Sequence, residues 1–373
     1  MGNGKDAKDT TKMKIKYIGN FTDGTNWAKA CNYSALNLKY SGHDVYCEEK
    51  KYNNLNVILE PEIQDLMLKK ADHYDVIIQH ILPTDYMYYG GSKNIGYIGL
   101  ETLNLSNKFW LKSISLMDEI FVPNLASKQC LINSGVKKPI KIFNFSFNYD
   151  KIVNQQPIAD ISQLKNTFNF MFYGDLSTKN NLESLLRAFH GEFQSHEPVN
   201  LYIKSNDPVD QILNLSNSVR LRMNKGNNYK KEIILSDSVS NEVIISTTKQ
   251  CHAIVCPSYG EACSHHALES MALGLPIIYT NGTGTSDYSL EIANYPVESH
   301  ISPFYYKNDT NDGLYNCEDM CLEINIIDLQ KQMRRVFELF VQNNKQYVQN
   351  SNMLKNHMKN FDYKNKELAR NII

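Results

Sequence analysis

Short apolar segments alternate with longer amphipathic segments along most of the chain, and this alternation predicts strands and helices in turn. The predicted strands are 14–18, 44–47, 75–80, 94–100, 167–173, 199–204, 232–235, 253–256 and 277–279, and the predicted helices are 27–41, 125–133, 181–189, 209–222, 241–249, 264–273, 329–347 and 353–368. Strands that are joined through helices form parallel sheets with helices on their faces, so the pattern predicts an α/β fold.

The predicted elements fall into two groups, and 373 residues are too many for a single core of ordinary size. Between the groups, the sequence from 144 to 166 loses its periodicity and becomes rich in Asn, Gln and Asp, as linkers are. We therefore predict a polar, disordered segment over 1–12, a Rossmann-like domain over 13–150, a linker over 151–166, a second Rossmann-like domain over 167–345 and a terminal helical segment over 346–373.

The segment from Tyr259 to Pro276 carries the most informative pattern, because a tight loop and a helix stand there between two apolar strands. The N-terminus of a helix in this position lies at the carboxyl edge of parallel strands, where its free N–H groups suit a phosphate. Glu261 and Glu269 are about two helical turns apart. A ligand over the helix start can therefore meet both carboxylates.

The same segment, Glu-Ala-Cys-Ser-x-x-x-Leu-Glu-Ser-Met-Ala-x-Gly-Leu-Pro over 261–276, resembles the donor site of the retaining GT-B glycosyltransferases of family 4. Met-Asp-Glu-x-x-Val-Pro over 117–123 and Ser-Gly-Val-x-x-Pro-Ile over 134–140 resemble segments of group 1 glycosyltransferases. The resemblance implies the GT-B fold, in which two Rossmann-like domains with parallel sheets face a central cleft. The first domain then takes the acceptor, the second takes the nucleotide-sugar donor, and the last helix packs back toward the first domain.

The reaction that this resemblance implies moves a sugar, with retention, from a nucleoside-diphosphate sugar to a glycan, protein or other hydroxyl acceptor, with UDP or GDP as the leaving group. The implied catalytic residues are Glu261, His80 and Lys179, with Lys179 on the donor diphosphate. The implied donor-binding residues are Glu269 (on the ribose), Gly174, Ser264, His265, Cys263, Ala262 and Gly284, and those implied on the acceptor side are Asn20, Asp23, Thr25 and Glu101.

Each of these assignments has a plainer structural alternative. Glu261 can cap the helix while Glu269 lies on the surface, and His80 can be a packing residue, as single histidines often are. Asp175 stands where the family usually has an arginine, which removes one cation from the leaving-group site. His265 or His266 can supply a basic group instead. Because Asp175 departs from the family pattern, a non-catalytic GT-B protein that binds nucleotide sugars is an alternative function. A GT-B nucleotide-sugar epimerase is a further alternative.

Composition excludes several other classes of function. The net charge of −1 gives no electrostatic footprint for a nucleic acid. No apolar run reaches the length of a membrane span, and no basic start with an apolar core marks a signal peptide. The eight cysteines form no Cys-x-x-Cys pair, so we expect reduced thiols and a cytoplasmic protein.

The sequence gives no indication of a bound metal or cofactor beyond the nucleotide sugar as co-substrate. Asp-x-Asp, the metal-binding acidic motif of the other large glycosyltransferase fold, does not occur. His265 and His266 are neighbours on the predicted helix and should point in different directions, so we expect no metal between them. The sequence leaves open whether the protein forms a homo-oligomer.

Overall fold

A computed structural model describes residues 12–55, 57–156, 167–176, 178–235, 241–304, 315–370 and 372. Within these residues the chain forms two six-stranded sheets, both parallel throughout, and a small antiparallel pair of strands. Almost all of the predicted disordered segment over 1–12, and residues 157–166 of the predicted linker, lie outside the described residues.

The first sheet is built from the chain up to residue 142, and its strand order is β2-β1-β3-β4-β5-β6. Its elements are β1 (Lys14–Gly19), α1 (Asn26–Tyr40), β2 (Asp44–Glu49), α2 (Pro61–Leu68), β3 (Val76–His80), β4 (Lys93–Tyr97), α3 (Lys108–Ile114), β5 (Glu119–Val122), α4 (Leu125–Asn133) and β6 (Ile140–Ile142). Every strand between β1 and β5 has buried residues, because helices cover both faces of the sheet.

The second sheet follows a short connecting helix, α5 (Tyr149–Asn154), and has the strand order β12-β11-β10-β7-β8-β9. Its strands are β7 (Phe168–Tyr173), β8 (Val199–Lys204), β9 (Ile233–Leu235), β10 (Ala253–Cys256), β11 (Ile277–Thr280) and β12 (Asn294–Val297). Its helices are α6 (Leu182–Glu192), α7 (Val209–Arg222), α8 (Asn241–Thr248) and α9 (His265–Ala272). The antiparallel pair is β13 (Ser299–Pro303) and β14 (Met320–Ile324).

Helix α5 occupies the beginning of the segment that the sequence predicts as linker. Its start is capped by Asn148, whose side chain accepts a hydrogen bond from the Lys151 N–H at 3.0 Å. Ile152 is buried on its inner face, where α5 packs against α9. A helix therefore forms here despite the polar composition of the segment, and one cap and one apolar contact stabilise it.

The last two helices are α10 (Ile326–Gln342) and α11 (Asn344–Met358), so the predicted bounds 329–347 and 353–368 are wrong in detail. Asn343 separates them and caps α11 through a bond from the Gln346 N–H. After α11 the chain forms two short 3-10 turns instead of continuing as a helix to 368. Asp362 in this tail pairs with Phe147, which comes just after the first sheet.

One apolar core runs through both domains and includes this tail. Asn37 of α1 is fully buried, and its side-chain amide donates to the carbonyl oxygens of Tyr363 and Asn365 at 2.8 and 2.9 Å. The Tyr363 ring packs against Tyr33 and Tyr40, both on α1, with centroid distances of 5.7 and 5.4 Å. The tail that follows the second domain therefore ends against the first domain.

The loops at the facing edges of the two sheets come into backbone contact. Gly260 lies so close to Glu101 that an added Cβ would overlap the Glu101 carbonyl oxygen. Gly99 is also close to the second domain, since a Cβ there would come within 2.9 Å of the Ala262 Cβ. Only glycine permits this approach at residue 260.

We predict that Gly260→Ala lowers the free energy of unfolding by about 1–3 kcal/mol, because the methyl group forces the backbones of 260 and 101 apart. Gly90→Ala is the matched control, since no atom lies within 4 Å of the position that its Cβ would take. Urea unfolding of the parent and both variants checks the prediction. Equal stability of the parent and Gly260→Ala would contradict the close approach.

Candidate functional site

A cavity of about 760 Å³ lies between the carboxyl edges of the two sheets. The ends of β3 and β4 contribute to one wall, and the ends of β7 and β8 contribute to the other. Parallel sheets bind ligands at this edge, because loops and helix N-termini there present side chains and N–H groups. The cavity is therefore the candidate site.

Helix α9 begins at the second-domain wall of the cavity. Ser264 is its N-cap, and the Ser264 hydroxyl accepts a hydrogen bond from the Ala267 N–H at 3.3 Å. Ala262, Cys263 and Ser264 all line the cavity, as does Gly174 after β7. The predicted donor-binding loop and the start of the helix thus face the space between the domains.

Glu261 and Lys179 also line the cavity on this wall, and Glu101 lines it from the first domain. The Lys179 ammonium forms an ion pair with the Glu101 carboxylate across the cavity. Burial raises the pKa of the Glu261 carboxyl; Lys179 lowers it and Glu101 raises it, and the net direction is upward. One lysine therefore balances two nearby acids.

Glu269 lies beside the cavity and pairs with side chains that line it. The Lys29 ammonium, on α1 of the first domain, is 2.8 Å from Glu269 Oε1, and His266 Nδ1 is 3.5 Å from Oε2. Burial alone would raise the pKa of Glu269, but Lys29 and His266 outweigh it and hold the pKa well below its usual range. The His266 ring stacks on Tyr173 with a centroid distance of 4.5 Å.

His80 stands at the end of β3 and touches the cavity with a largely buried side chain. Its Nδ1 is 2.7 Å from the Tyr17 hydroxyl, and its ring stacks on Tyr97 with a centroid distance of 4.3 Å. Burial lowers the pKa of His80 to about 3, and His265 adds to the effect. At neutral pH His80 is therefore an uncharged imidazole.

His265 does not fit the donor-binding role that the resemblance implies. Its side chain is fully buried, its ring stacks on Phe145 at 5.7 Å, and its Nε2 is 3.3 Å from the Ser146 carbonyl oxygen. Burial lowers the pKa of His265 to about 3. It therefore cannot supply the cation that Asp175 leaves out, and of the two neighbouring histidines only His266 lines the cavity.

Gly284 also lies away from the cavity lining. An added Cβ there would overlap the Asn124 side-chain amide and the Ala262 carbonyl oxygen, which are hydrogen-bonded to each other. Nearby, the Asp287 carboxylate accepts a bond from the N–H of Leu125, the first residue of α4, at 2.7 Å. The 284–287 turn therefore contacts the first domain and not the cavity.

Of the predicted acceptor-side residues, Thr25 and Glu101 line the cavity, whereas Asn20 and Asp23 do not. Asn20 and Asp23 are buried and hydrogen-bonded to each other through their side chains. The Asp23 carboxylate also accepts bonds from the Thr25 N–H at 2.9 Å and the Thr25 hydroxyl at 2.6 Å. Both residues shape the turn before α1.

Lys29, Trp27 and Tyr52 line the cavity and are absent from the sequence-based prediction. The sequence position of Lys29 indicates that it has an anionic partner, because a lysine near the start of a helix opposes the helix dipole unless an anion lies nearby. No sequence pattern indicates that this anion is Glu269, which is distant in the chain. Among the described residues, no group of three or more His, Cys, Asp and Glu side chains is arranged to hold a metal ion.

Residues 155–291 match the family model described as Glycosyl transferases group 1. This match covers the 261–276 segment and confirms the resemblance to group 1 glycosyltransferases. No curated protein matches the sequence. Within the described residues, no helix has both the length and the apolar character needed to cross a membrane.

Several solved structures share the fold over nearly the whole chain. An E. coli structure described as trehalose-6-phosphate bound with UDP-2-fluoro glucose has a TM-score of 0.63 and 10% identity, covering 96% of this chain and 99% of its own. Anabaena Alr3699/HepE in complex with UDP-glucose gives 0.61 and 12%, covering 96% and 98%. Sucrose-phosphate synthase from Thermosynechococcus elongatus gives 0.62 and 13%, covering 96% and 97%. The predicted GT-B fold is confirmed.

We predict that His265→Phe flattens the dependence of stability on pH. The folded pKa is about 3 and the unfolded pKa about 6.5, so the unfolded state binds a proton first and stability is lost as the pH falls below about 6.5. Removing this group should reduce the slope by roughly 1.4 kcal/mol per pH unit between pH 6.5 and 4.5. Urea unfolding at several pH values measures it.

His300→Gln, which removes a histidine at an exposed position, is the control for this measurement. If His265→Phe kept the parent's slope, the imidazole of His265 would not be a buried neutral group.

Proposed function

We propose that this protein is a retaining, metal-independent glycosyltransferase that moves a sugar from a nucleoside-diphosphate sugar to a hydroxyl acceptor. The observation that carries the proposal is the meeting of Glu261, Lys179 and the start of α9 in one cavity between the two domains. The GT-B fold and the match to the group 1 model support it. Retention rests on the resemblance of the 261–276 segment to family 4.

The donor diphosphate would lie over the start of α9, with Lys179 on its oxygens. Departure of the nucleoside diphosphate builds negative charge on its oxygen, and a fixed ammonium and helix N–H groups stabilise that charge without reorganisation. In the structure Lys179 pairs with Glu101, so the diphosphate takes the place of a carboxylate on the same ammonium. UDP is favoured as the nucleotide, because two of the structural neighbours hold UDP sugars.

Glu261 would stabilise the sugar as the bond from its anomeric carbon to the diphosphate oxygen breaks. The electron pair of that bond stays on the diphosphate, and the ring gains positive charge that a carboxylate can balance. The acceptor oxygen then bonds to the anomeric carbon on the face that the diphosphate leaves. Its proton passes to the departing diphosphate oxygen, so no separate base is needed.

Two further residues would position the donor. Glu269, which Lys29 and His266 keep ionised, can accept hydrogen bonds from the ribose hydroxyls. His80 is neutral, and burial raises the pKa of its partner Tyr17 so that the Tyr17 hydroxyl keeps its proton. If that proton points to Nδ1, the Nε2–H of His80 is a donor for a sugar hydroxyl.

Asp175 favours a second candidate, a GT-B protein that binds nucleotide sugars without transferring them. It lines the cavity beside Gly174, where an acid adds negative charge near the proposed diphosphate position.

A cytoplasmic location is part of the main proposal, and the eight free cysteines support it.

We predict that Glu261→Gln lowers kcat for sugar transfer at least about 100-fold while the UDP Kd stays within about threefold. The carboxylate acts on charge that exists only in the transition state, so its loss affects rate more than binding. Transfer from a panel of UDP and GDP sugars, with calorimetry for UDP, measures both values. Glu298→Gln, at an exposed position, is the control. Full activity of Glu261→Gln would remove its catalytic role, and UDP binding without transfer in the parent would favour the non-catalytic candidate.

We predict that Glu269→Ala weakens UDP binding about tenfold or more, because two ribose hydroxyls lose a charged acceptor. Lys29→Met is the matched variant, since it breaks the same ion pair but keeps the Glu269 carboxylate, and it should weaken UDP binding less than threefold. Calorimetric titration with UDP compares them. Equal losses in the two variants would mean that the ion pair, and not a ribose contact, accounts for the effect.

A further inference from the structure

Both tryptophans of the chain, Trp27 and Trp110, line the first-domain wall of the cavity. Trp27 stacks on Tyr52 with a centroid distance of 5.0 Å and an angle of 22° between the rings. The Tyr52 hydroxyl is held at both sides, because it donates to the Asp85 carboxylate at 2.8 Å and accepts from the Leu82 N–H at 3.0 Å. This wall therefore presents an aromatic surface whose orientation is fixed from behind.

The charged side chains of this wall are already paired with the second domain. Among the described lining residues, the first domain contributes Lys29 and Glu101 as its charged groups. Lys29 is 2.8 Å from Glu269, and Glu101 pairs with Lys179. Lys29 is therefore already paired with an acid, and Glu101 has the same sign of charge as a phosphate, so neither side chain neutralises an anionic acceptor.

The start of α1 faces the cavity next to Trp27, and a helix start of this kind often attracts anions. Here an acid of the protein already balances it. The Asp23 carboxylate accepts from the Thr25 N–H at 2.9 Å and from Asn53 at 3.3 Å. A phosphate at this position would meet the charge of the Asp23 carboxylate within the same turn.

We infer that the acceptor is an uncharged saccharide that lays the apolar face of its ring on Trp27, and that it is not a sugar phosphate. The inference rests on the proposed function, in which this wall belongs to the acceptor. On this wall an anion would lie near the Asp23 and Glu101 carboxylates, and Lys29 is already paired, so its desolvation would be costly. An uncharged ring loses little on desolvation and gains contact with the aromatic surface. Trp27 is then the residue that selects the acceptor class.

The test compares matched neutral and phosphorylated sugars. Methyl glycosides of glucose, galactose, mannose and N-acetylglucosamine, and the 6-phosphates of the same sugars, are titrated by calorimetry in the presence of saturating UDP. We expect at least one methyl glycoside to bind tenfold or more tightly than its 6-phosphate. A phenyl glycoside of the same sugar distinguishes a site for the sugar ring alone from one that also takes an aromatic group.

Variants at Trp27 locate the binding. Trp27→Ala should weaken binding of the preferred methyl glycoside at least tenfold, and Trp27→Phe, which keeps a ring, should stay within about threefold. In Trp110→Phe, Trp27 is the only tryptophan, so the neutral sugar should shift its emission. UDP affinity should be the same in all three variants.

Tighter binding of a 6-phosphate than of its neutral partner overturns the inference, and so does unchanged affinity in Trp27→Ala. Binding of none of the neutral sugars at millimolar concentration also counts against it. The proposed function fails separately, if the parent protein binds neither UDP nor a nucleotide sugar. If the protein binds UDP and prefers sugar phosphates, the proposed function stands and only the inference about the acceptor class is wrong.

Discussion

Hydrogen bonds to both domains fix the backbone of the loop from Tyr259 to Ala262, and the rest of the site depends on this constraint. The Ala262 carbonyl oxygen accepts from the side-chain amide of Asn124 in the first domain, and the other bonds lie within the second domain. The Tyr259 N–H donates to the Lys179 carbonyl oxygen at 3.0 Å, and the Tyr259 carbonyl oxygen accepts from Leu322 at 2.8 Å. The Glu261 carbonyl oxygen accepts from the Gly284 N–H at 2.9 Å. With its main chain bonded on both sides, the loop presents the Glu261 side chain to the cavity in a defined position. This is the preorganisation that electrostatic stabilisation of a transition state requires.

The two acids of the 261–276 segment have the same chemistry in solution and opposite properties in the fold. Burial and Glu101 raise the pKa of Glu261 against the pull of Lys179, whereas Lys29 and His266 hold that of Glu269 well below its usual range. The difference comes from the partners, since one lysine is shared by two acids and the other is close to a single acid. Two carboxylates in unlike environments suit different tasks, as in the roles proposed here for Glu261 and Glu269.

The sequence predicts most strands of the two sheets, because a strand that is buried on both faces is a continuous run of apolar residues, as at Ile254 and Val255. Glu261, Lys179 and His80, which the sequence assigns to one site, do line one cavity, since the ends of parallel strands share an edge of the sheet. The sequence cannot show where a side chain on a helix points, and for this reason it assigns the buried His265 to the donor. Contacts between distant segments, such as Lys29 with Glu269, leave no local pattern at all.

The ion pairs across the cavity connect donor binding to the contact between the domains. Glu101–Lys179 and Lys29–Glu269 each join a first-domain residue to a second-domain residue that the donor is proposed to use. In the proposed function, a diphosphate on Lys179 would replace the Glu101 carboxylate, and ribose hydroxyls on Glu269 would share that carboxylate with Lys29. The stacked rings of Trp27 and Tyr52 are uncharged and take no part in these ion pairs. On this proposal, charge governs the donor side of the cavity, while shape and apolar contact govern the acceptor side.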